Sequence, residues 1–126
     1  MKIIEQAFTE KKLGHSSLLL KNVFIRSAAY EGMLDQGLPN QDLIDHHVAM
    51  ARRKVALSTV SYGAVSASGR TFNTQMYIHD GSLTKLKQPA DEVHKAGGSV
   101  SMQLTHCGYF SKNKDSKKKP GSKQGI

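Results

Sequence analysis

Strand-like and helical patterns alternate along this 126-residue chain, and the alternation predicts an α/β fold on a parallel sheet. Three observations carry the prediction. Short segments rich in Val, Ile, Ser and Thr lack helical spacing. Two longer stretches between them repeat apolar residues every three or four positions. The gaps between strands are long enough for helical crossovers, which parallel neighbours need.

Taken in order, residues 1–22 carry short apolar pieces around Gly14 and the pair Ser16 and Ser17, a pattern suited to a small β-hairpin. Val23 to Ser27 reads as the first strand. After a turn-rich stretch from Glu31 to Pro39, Asn40 stands at a helix N-cap, with Asp42 in the first turn to suit the positive end of the dipole. Leu43, Ile44, His47, Val48, Ala51 and Val55 then form one stripe. Val55 to Tyr62 reads as the second strand, followed by a loop through Ala67 to Arg70. A second helix begins near Asp80 or Ser82, with Leu83, Leu86, Ala90 and Val93 on one face. Pro89 falls inside it and predicts a break, because proline removes a backbone hydrogen bond. Gly97 and Gly98 supply a left-handed C-terminal cap. Ser99 to Thr105 is the third strand, with Ser99, Ser101, Gln103 and Thr105 on a polar side and Val100, Met102 and Leu104 on the side expected to face both helices. The polar side is left to line a ligand site or a barrel interior.

Bulk properties narrow the function classes. Unbroken apolar runs such as Leu18 to Leu20 reach at most four residues, far short of the ~20 residues that span a bilayer. Met1 to Thr9 has no apolar core of the secretory type. The lone Cys107 cannot form an internal disulfide, so the expected compartment is the cytoplasm. Of the net charge of +8, five units sit in residues 111–126, where six lysines face one aspartate. The boundary expected is therefore a globular part, 1–110, and a lysine-rich flexible tail, 111–126. A solvated end is the simpler reading of that tail, and nucleic-acid binding the lesser one. His46, His47, His94, His106 and Cys107 lack the close paired spacing of a zinc site, and no hydrolase triad is evident.

Four segments, in order, resemble the Old Yellow Enzyme (NADH:flavin oxidoreductase) family: Leu20 to Gly32 (LKNVFIRSAAYEG), Ser66 to Arg70 (SASGR), Val93 to Gly98 (VHKAGG) and Gln103 to Gly108 (QLTHCG). The resemblance implies the N-terminal fragment, about three βα units, of a TIM (β/α)8 barrel with FMN at the C-terminal ends of its strands. It implies NAD(P)H as reductant and a small-molecule substrate, an activated alkene or similar acceptor. By the same resemblance the backbone at Ser27, Ala28 and Ala29 runs against the flavin, Ser61 and Tyr62 line it, and Gln103 bonds its pyrimidine edge through an amide that both accepts and donates.

The chain also departs from the family pattern. Ala29 stands where a Thr or Cys commonly modulates the flavin, and Arg52, Arg53 and Lys54 replace the glycines of a turn. The substrate-anchoring and phosphate-binding elements fall in later strands, so no catalytic residue transfers. A Pro-containing loop survives only as Lys119 to Ser122. The expectation is a truncated family member, inactive alone, whose uncovered sheet face and edge favour self-association. The alternative is a non-catalytic interaction fragment that binds polyanions through its basic tail.

Overall fold

The computed structural model describes residues 2–112. Three parallel strands form its centre: β3 (Ile25–Arg26), β6 (Leu57–Ala64) and β7 (Ser99–Thr105), in the order β3-β6-β7. Helices α2 (Gln41–Arg52) and α3 (Asp80–Lys95) make the two crossovers; α2 packs on β6, α3 on β7, and the helices on each other. The predicted strand-helix-strand-helix-strand order is therefore present, and the three strand ends carrying the expected site residues share one end of the sheet.

Ahead of this unit, helix α1 (Ile3–Ala7) precedes a two-rung antiparallel ladder between β1 (Lys11–Lys12) and β2 (Leu19–Leu20). The ladder is the expected hairpin; the helix was not expected. It is a single turn closed by local bonds, with the Glu5 carboxylate accepting from the Lys2 N–H at 3.2 Å, too short to show a periodicity. A second unexpected hairpin, β4 (Leu34–Asp35) with β5 (Leu38–Pro39), fills the turn-rich stretch. Its turn puts both Gln36 (φ 49°) and Gly37 (φ 76°) in the left-handed region, as a type I′ turn requires.

Asn40 caps α2 as expected, its Oδ1 accepting from the Leu43 N–H at 3.0 Å. Leu43, Ile44, His47 and Ala51 of the predicted stripe are buried. The expected break at Pro89 does not occur: α3 runs unbroken from Asp80 to Lys95. Proline forfeits one bond to the preceding turn, but Pro89 is buried, and that apolar burial offsets the loss. The buried face of α3 is also rotated from the expected one. Ser82, Pro89 and Val93 are buried, whereas Leu83 is 54% exposed. Burying Ser82 costs little because its Oγ donates to the His79 carbonyl at 2.8 Å and accepts the His79 N–H at 2.9 Å.

The glycine-free turn after α2 is made at Lys54, which adopts φ 74°. Side chains from the strand-entry segment hold it there. Lys21 Nζ donates to the Ala51 carbonyl at 2.7 Å, and buried Asn22 donates Nδ2 to the Lys54 carbonyl at 2.6 Å while accepting the Phe24 N–H at 2.9 Å. At the other helix end Gly97 takes φ 80°, and a side chain on Gly98 would put its Cβ 2.7 Å from the Ala51 Cβ. Glycine is thus what lets the start of β7 meet α2.

The two sides of β7 differ less cleanly than the sequence suggests. Ser101 and Gln103 are exposed on the polar side, and Val100 and Met102 are half-buried on the other. Leu104 was expected under the helices but is 59% exposed. Among the described residues no further strand pairs with the outer edge of β7.

Candidate functional site

The C-terminal ends of the three strands bring together three of the four segments singled out in the sequence; the fourth, Val93 to Gly98, leads into the opposite end of β7. Past β3 the chain leaves regular structure at Ser27. Ser27 and Ala29 are exposed and Ala28 half-buried, so small side chains leave the backbone of this turn open. On the polar face of the sheet Thr59 Oγ1 and Ser101 Oγ lie 2.8 Å apart, bridging β6 and β7. Gln103 stands two residues beyond Ser101 on the same face, exposed.

The end of β6 behaves differently. A register irregularity between Val60 and Gly63 interrupts its pairing with β7. Ser61 is buried, and its N–H is given to Glu31 Oε2 at 3.2 Å. Tyr62 is half-buried, its ring 5.9 Å from that of Tyr30, which in turn meets Phe72 edge-on at 5.6 Å. These three rings form an aromatic rim beside the small-residue turn. Tyr30 is 57% exposed and contributes its face to solvent.

Two of the matched segments dock on each other. The Gly69 carbonyl accepts the Cys107 N–H at 2.8 Å, and a Cβ on Gly69 would lie 2.5 Å from the His106 ring. Gly69 is therefore fixed by contact with His106. Buried Gln75 links the same loops: Oε1 accepts from the Thr71 N–H at 2.5 Å, and Nε2 reaches the Tyr62 carbonyl at 3.3 Å and Thr105 Oγ1 at 3.4 Å. Packing continues past residue 110, since Ser111 is buried with its hydroxyl on the Arg70 carbonyl, and the Lys112 N–H bonds the Thr71 carbonyl at 2.7 Å. The rest of the expected lysine-rich end, 113–126, including Lys119 to Ser122, lies outside the described residues.

Beneath the turn is a polar network that the sequence did not reveal. Arg26 Nη1 donates to Glu31 Oε1 at 2.6 Å and to the Thr59 carbonyl at 3.2 Å. The Glu31 side chain is 2% exposed. His47, reaching from α2, places Nε2 3.4 Å from Glu31 Oε1 and Nδ1 2.8 Å from Ser58 Oγ. The Nε2 contact has the distance of an ion pair without the alignment of a hydrogen bond. Burial pushes the His47 imidazole below its ordinary pKa; Glu31 opposes that, while His46 and Arg26 reinforce it. A neutral ring follows at neutral pH. Serine, histidine and glutamate in a row resemble a nucleophilic triad, but Ser58 and His47 are completely enclosed, so no substrate carbonyl can reach the serine. No sequence spacing announces this set: Arg26, Glu31, His47 and Ser58 meet only once β3, α2 and β6 pack.

Three parallel strands in sequence order, joined by two helical crossovers, define a class: the opening βα units of a TIM barrel. The chain belongs to the NADH:flavin oxidoreductase / NADH oxidase family, whose sequence model matches residues 8–125. It is 32% identical over 112 residues to 4,4′-dithiodibutanoate disulfide reductase of Rhodococcus erythropolis, covering 89% of this chain and 27% of that protein. It is 31% identical over 93 residues to a probable N-methylproline demethylase of Rhizobium meliloti (strain 1021), covering 72% of this chain and 14% of that protein. Among solved structures, Old Yellow Enzyme from Pichia sp. AKU4542 superposes with a TM-score of 0.75 at 18% identity, covering 84% of this chain and 28% of its own. Morphinone reductase in complex with tetrahydroNAD gives 0.70 at 24% identity, with 83% and 28% covered. This chain thus spans between 14% and 28% of the length of these relatives. Among the described residues no helix is long and apolar enough to cross a membrane.

The donor set fits a flavin in part. Gln103 has no hydrogen-bond partner among the described residues, and its amide can both accept from and donate to the imide edge of a flavin ring. The open backbone at Ser27 to Ala29 suits the close approach of a flat ring. Ser61 offers its neighbours no free N–H, since Glu31 holds it.

Proposed function

We propose that this chain forms the N-terminal part of an FMN-dependent oxidoreductase that takes electrons from NAD(P)H and reduces a small acceptor such as an activated alkene. The exposed Gln103 side chain on β7 and the open Ser27 to Ala29 turn after β3, at the same end of the sheet with β6 between them, are the observation that carries the reading. In it, Gln103 holds the pyrimidine edge, the 27–29 backbone supports one side of the ring system, and Tyr62 borders it. FMN, when bound, supplies the hydride chemistry, and the protein orients it and tunes its electronics. Ala29 has no hydroxyl or thiol to offer the flavin, so any tuning at this turn comes from backbone groups. The small-molecule acceptor meets groups beyond the three strands present here. The single cysteine suits a cytoplasmic setting. The exposed Leu104 and open β7 edge favour pairing with further strands or with a second copy.

Titration of the purified chain with FMN, followed by quenching of flavin fluorescence, tests the reading. Saturable quenching is expected, weakened about tenfold in Gln103→Leu through loss of one charge-free hydrogen-bonding edge. Unchanged fluorescence with the unsubstituted chain would refute FMN binding by these residues.

A further inference from the structure

We infer that the Arg26 and Glu31 ion pair is a positioning clasp that fixes the Ser27 to Tyr30 turn in one shape before any ligand arrives. The ligand it serves rests on the flavin reading above, whereas the clasp itself can be tested without one.

The geometry argues for a clasp and against a simple stabilising pair. Arg26 is anchored twice, in the β3 ladder opposite Ser58 and by its guanidinium on the Thr59 carbonyl at 3.2 Å. Glu31 is anchored on the far side of the turn, where Oε2 accepts the Ser61 N–H at 3.2 Å. The 2.6 Å bond between the two side chains therefore closes a loop whose four inner residues belong to no helix or strand. Both carboxylate oxygens are engaged, and each partner lies on a different strand. Enclosed ion pairs add little net stability over apolar residues of like volume, but their geometry is exacting. Four open residues held at both ends suit a surface that must meet a rigid planar ligand without an ordering cost at binding. His47, neutral and in contact with the same carboxylate, closes off the side facing α2 and leaves Arg26 as the paired cation.

The test compares the unsubstituted chain with Glu31→Gln, Arg26→Lys and the double variant R26M/E31M. Folding is checked by far-UV circular dichroism, amide exchange is read by NMR at Ser61, backbone order at residues 28–30 by NMR relaxation, and FMN affinity by fluorescence. Glu31→Gln is expected to speed exchange at the Ser61 amide about tenfold and to lower backbone order at 28–30, with the amides of α2 and α3 unchanged, and to weaken FMN about tenfold. Arg26→Lys, which keeps the charge, should show smaller effects of both kinds. If Glu31→Gln fails to fold, the double variant decides by the same readings, because it removes the pair without stranding a charge. Unchanged exchange at Ser61 with unchanged order at 28–30, or an equal increase in exchange throughout the chain, would overturn the clasp. Local loosening with unaltered FMN affinity would overturn its link to the flavin. An unsubstituted chain that binds no FMN refutes flavin binding by these residues on their own instead, and the exchange pattern alone then judges the clasp.

Discussion

Replacing Lys54 with glycine should stabilise this chain, although it deletes an entire side chain. Lys54 holds φ 74°, a conformation that costs an L-residue about 1–2 kcal/mol through contact of its Cβ with the following carbonyl. Glycine avoids that cost but loses about 0.5–1 kcal/mol more conformational freedom on folding. The bonds that fix the turn use only the backbone of residue 54: its N–H reaches the Ala51 carbonyl at 3.2 Å, and its carbonyl accepts Asn22 Nδ2 at 2.6 Å. All survive the substitution. Removing the charge also relieves Lys21, whose pKa is held down by burial and then by Lys54. The net expectation is a gain of about 0.5–1 kcal/mol, or about 2–6 °C in Tm, measured by thermal unfolding followed by circular dichroism. Lys54→Ala separates the causes, since it removes the charge and keeps the backbone cost, and it should leave Tm nearly unchanged. Gly97→Ala is the mirror experiment: φ is 80° and nothing lies within 4 Å of the added Cβ, so a loss of about 1 kcal/mol is expected from the backbone alone. A Lys54→Gly protein that is no more stable than Lys54→Ala would refute the assignment of strain to this turn.

The other expectations concern packing and titration. Gly98→Ala should destabilise the chain by about 1–3 kcal/mol in urea unfolding, because the new Cβ falls 2.7 Å from that of Ala51. Adding Ala51→Gly should recover part of the loss, and a lack of recovery would place the clash elsewhere. For His47 the folded pKa lies below the ordinary 6.5, so the unfolded chain takes up the proton first as pH falls. Its contribution is intact above about pH 6.5 and is lost on acidification from there down through the folded pKa. His47→Gln should therefore show a shallower fall in urea stability over that window than the unsubstituted chain, and parallel pH profiles would contradict it.

Individual residues show where sequence patterns sufficed. Asn40 signals a helix start because an N-cap is a contact within one turn, and Ser99 to Thr105 alternates because a strand presents successive side chains to opposite sides. Pro89 misled because its local penalty is visible in the sequence while the burial that offsets it is not. Leu83 misled for a related reason: an apolar stripe gives a face to within about one residue, and Ser82, satisfied by His79, took the inner place. Gln103 and the Ser27 to Ala29 turn were legible as site residues only through resemblance.

By itself, the sequence determined the order of the three central strands and the two crossover helices, the parallel arrangement of those strands and the family, all of which rest on patterns close together along the chain. The tertiary structure alone decided that Lys54 turns without glycine and that Arg26, Glu31, His47 and Ser58 meet beneath the strand ends. Lys54 depends on Asn22, 32 residues away, and the buried network draws on β3, α2 and β6 at once. Such contacts carry no period along the chain, because their partners become neighbours only when the helices fold back over the sheet.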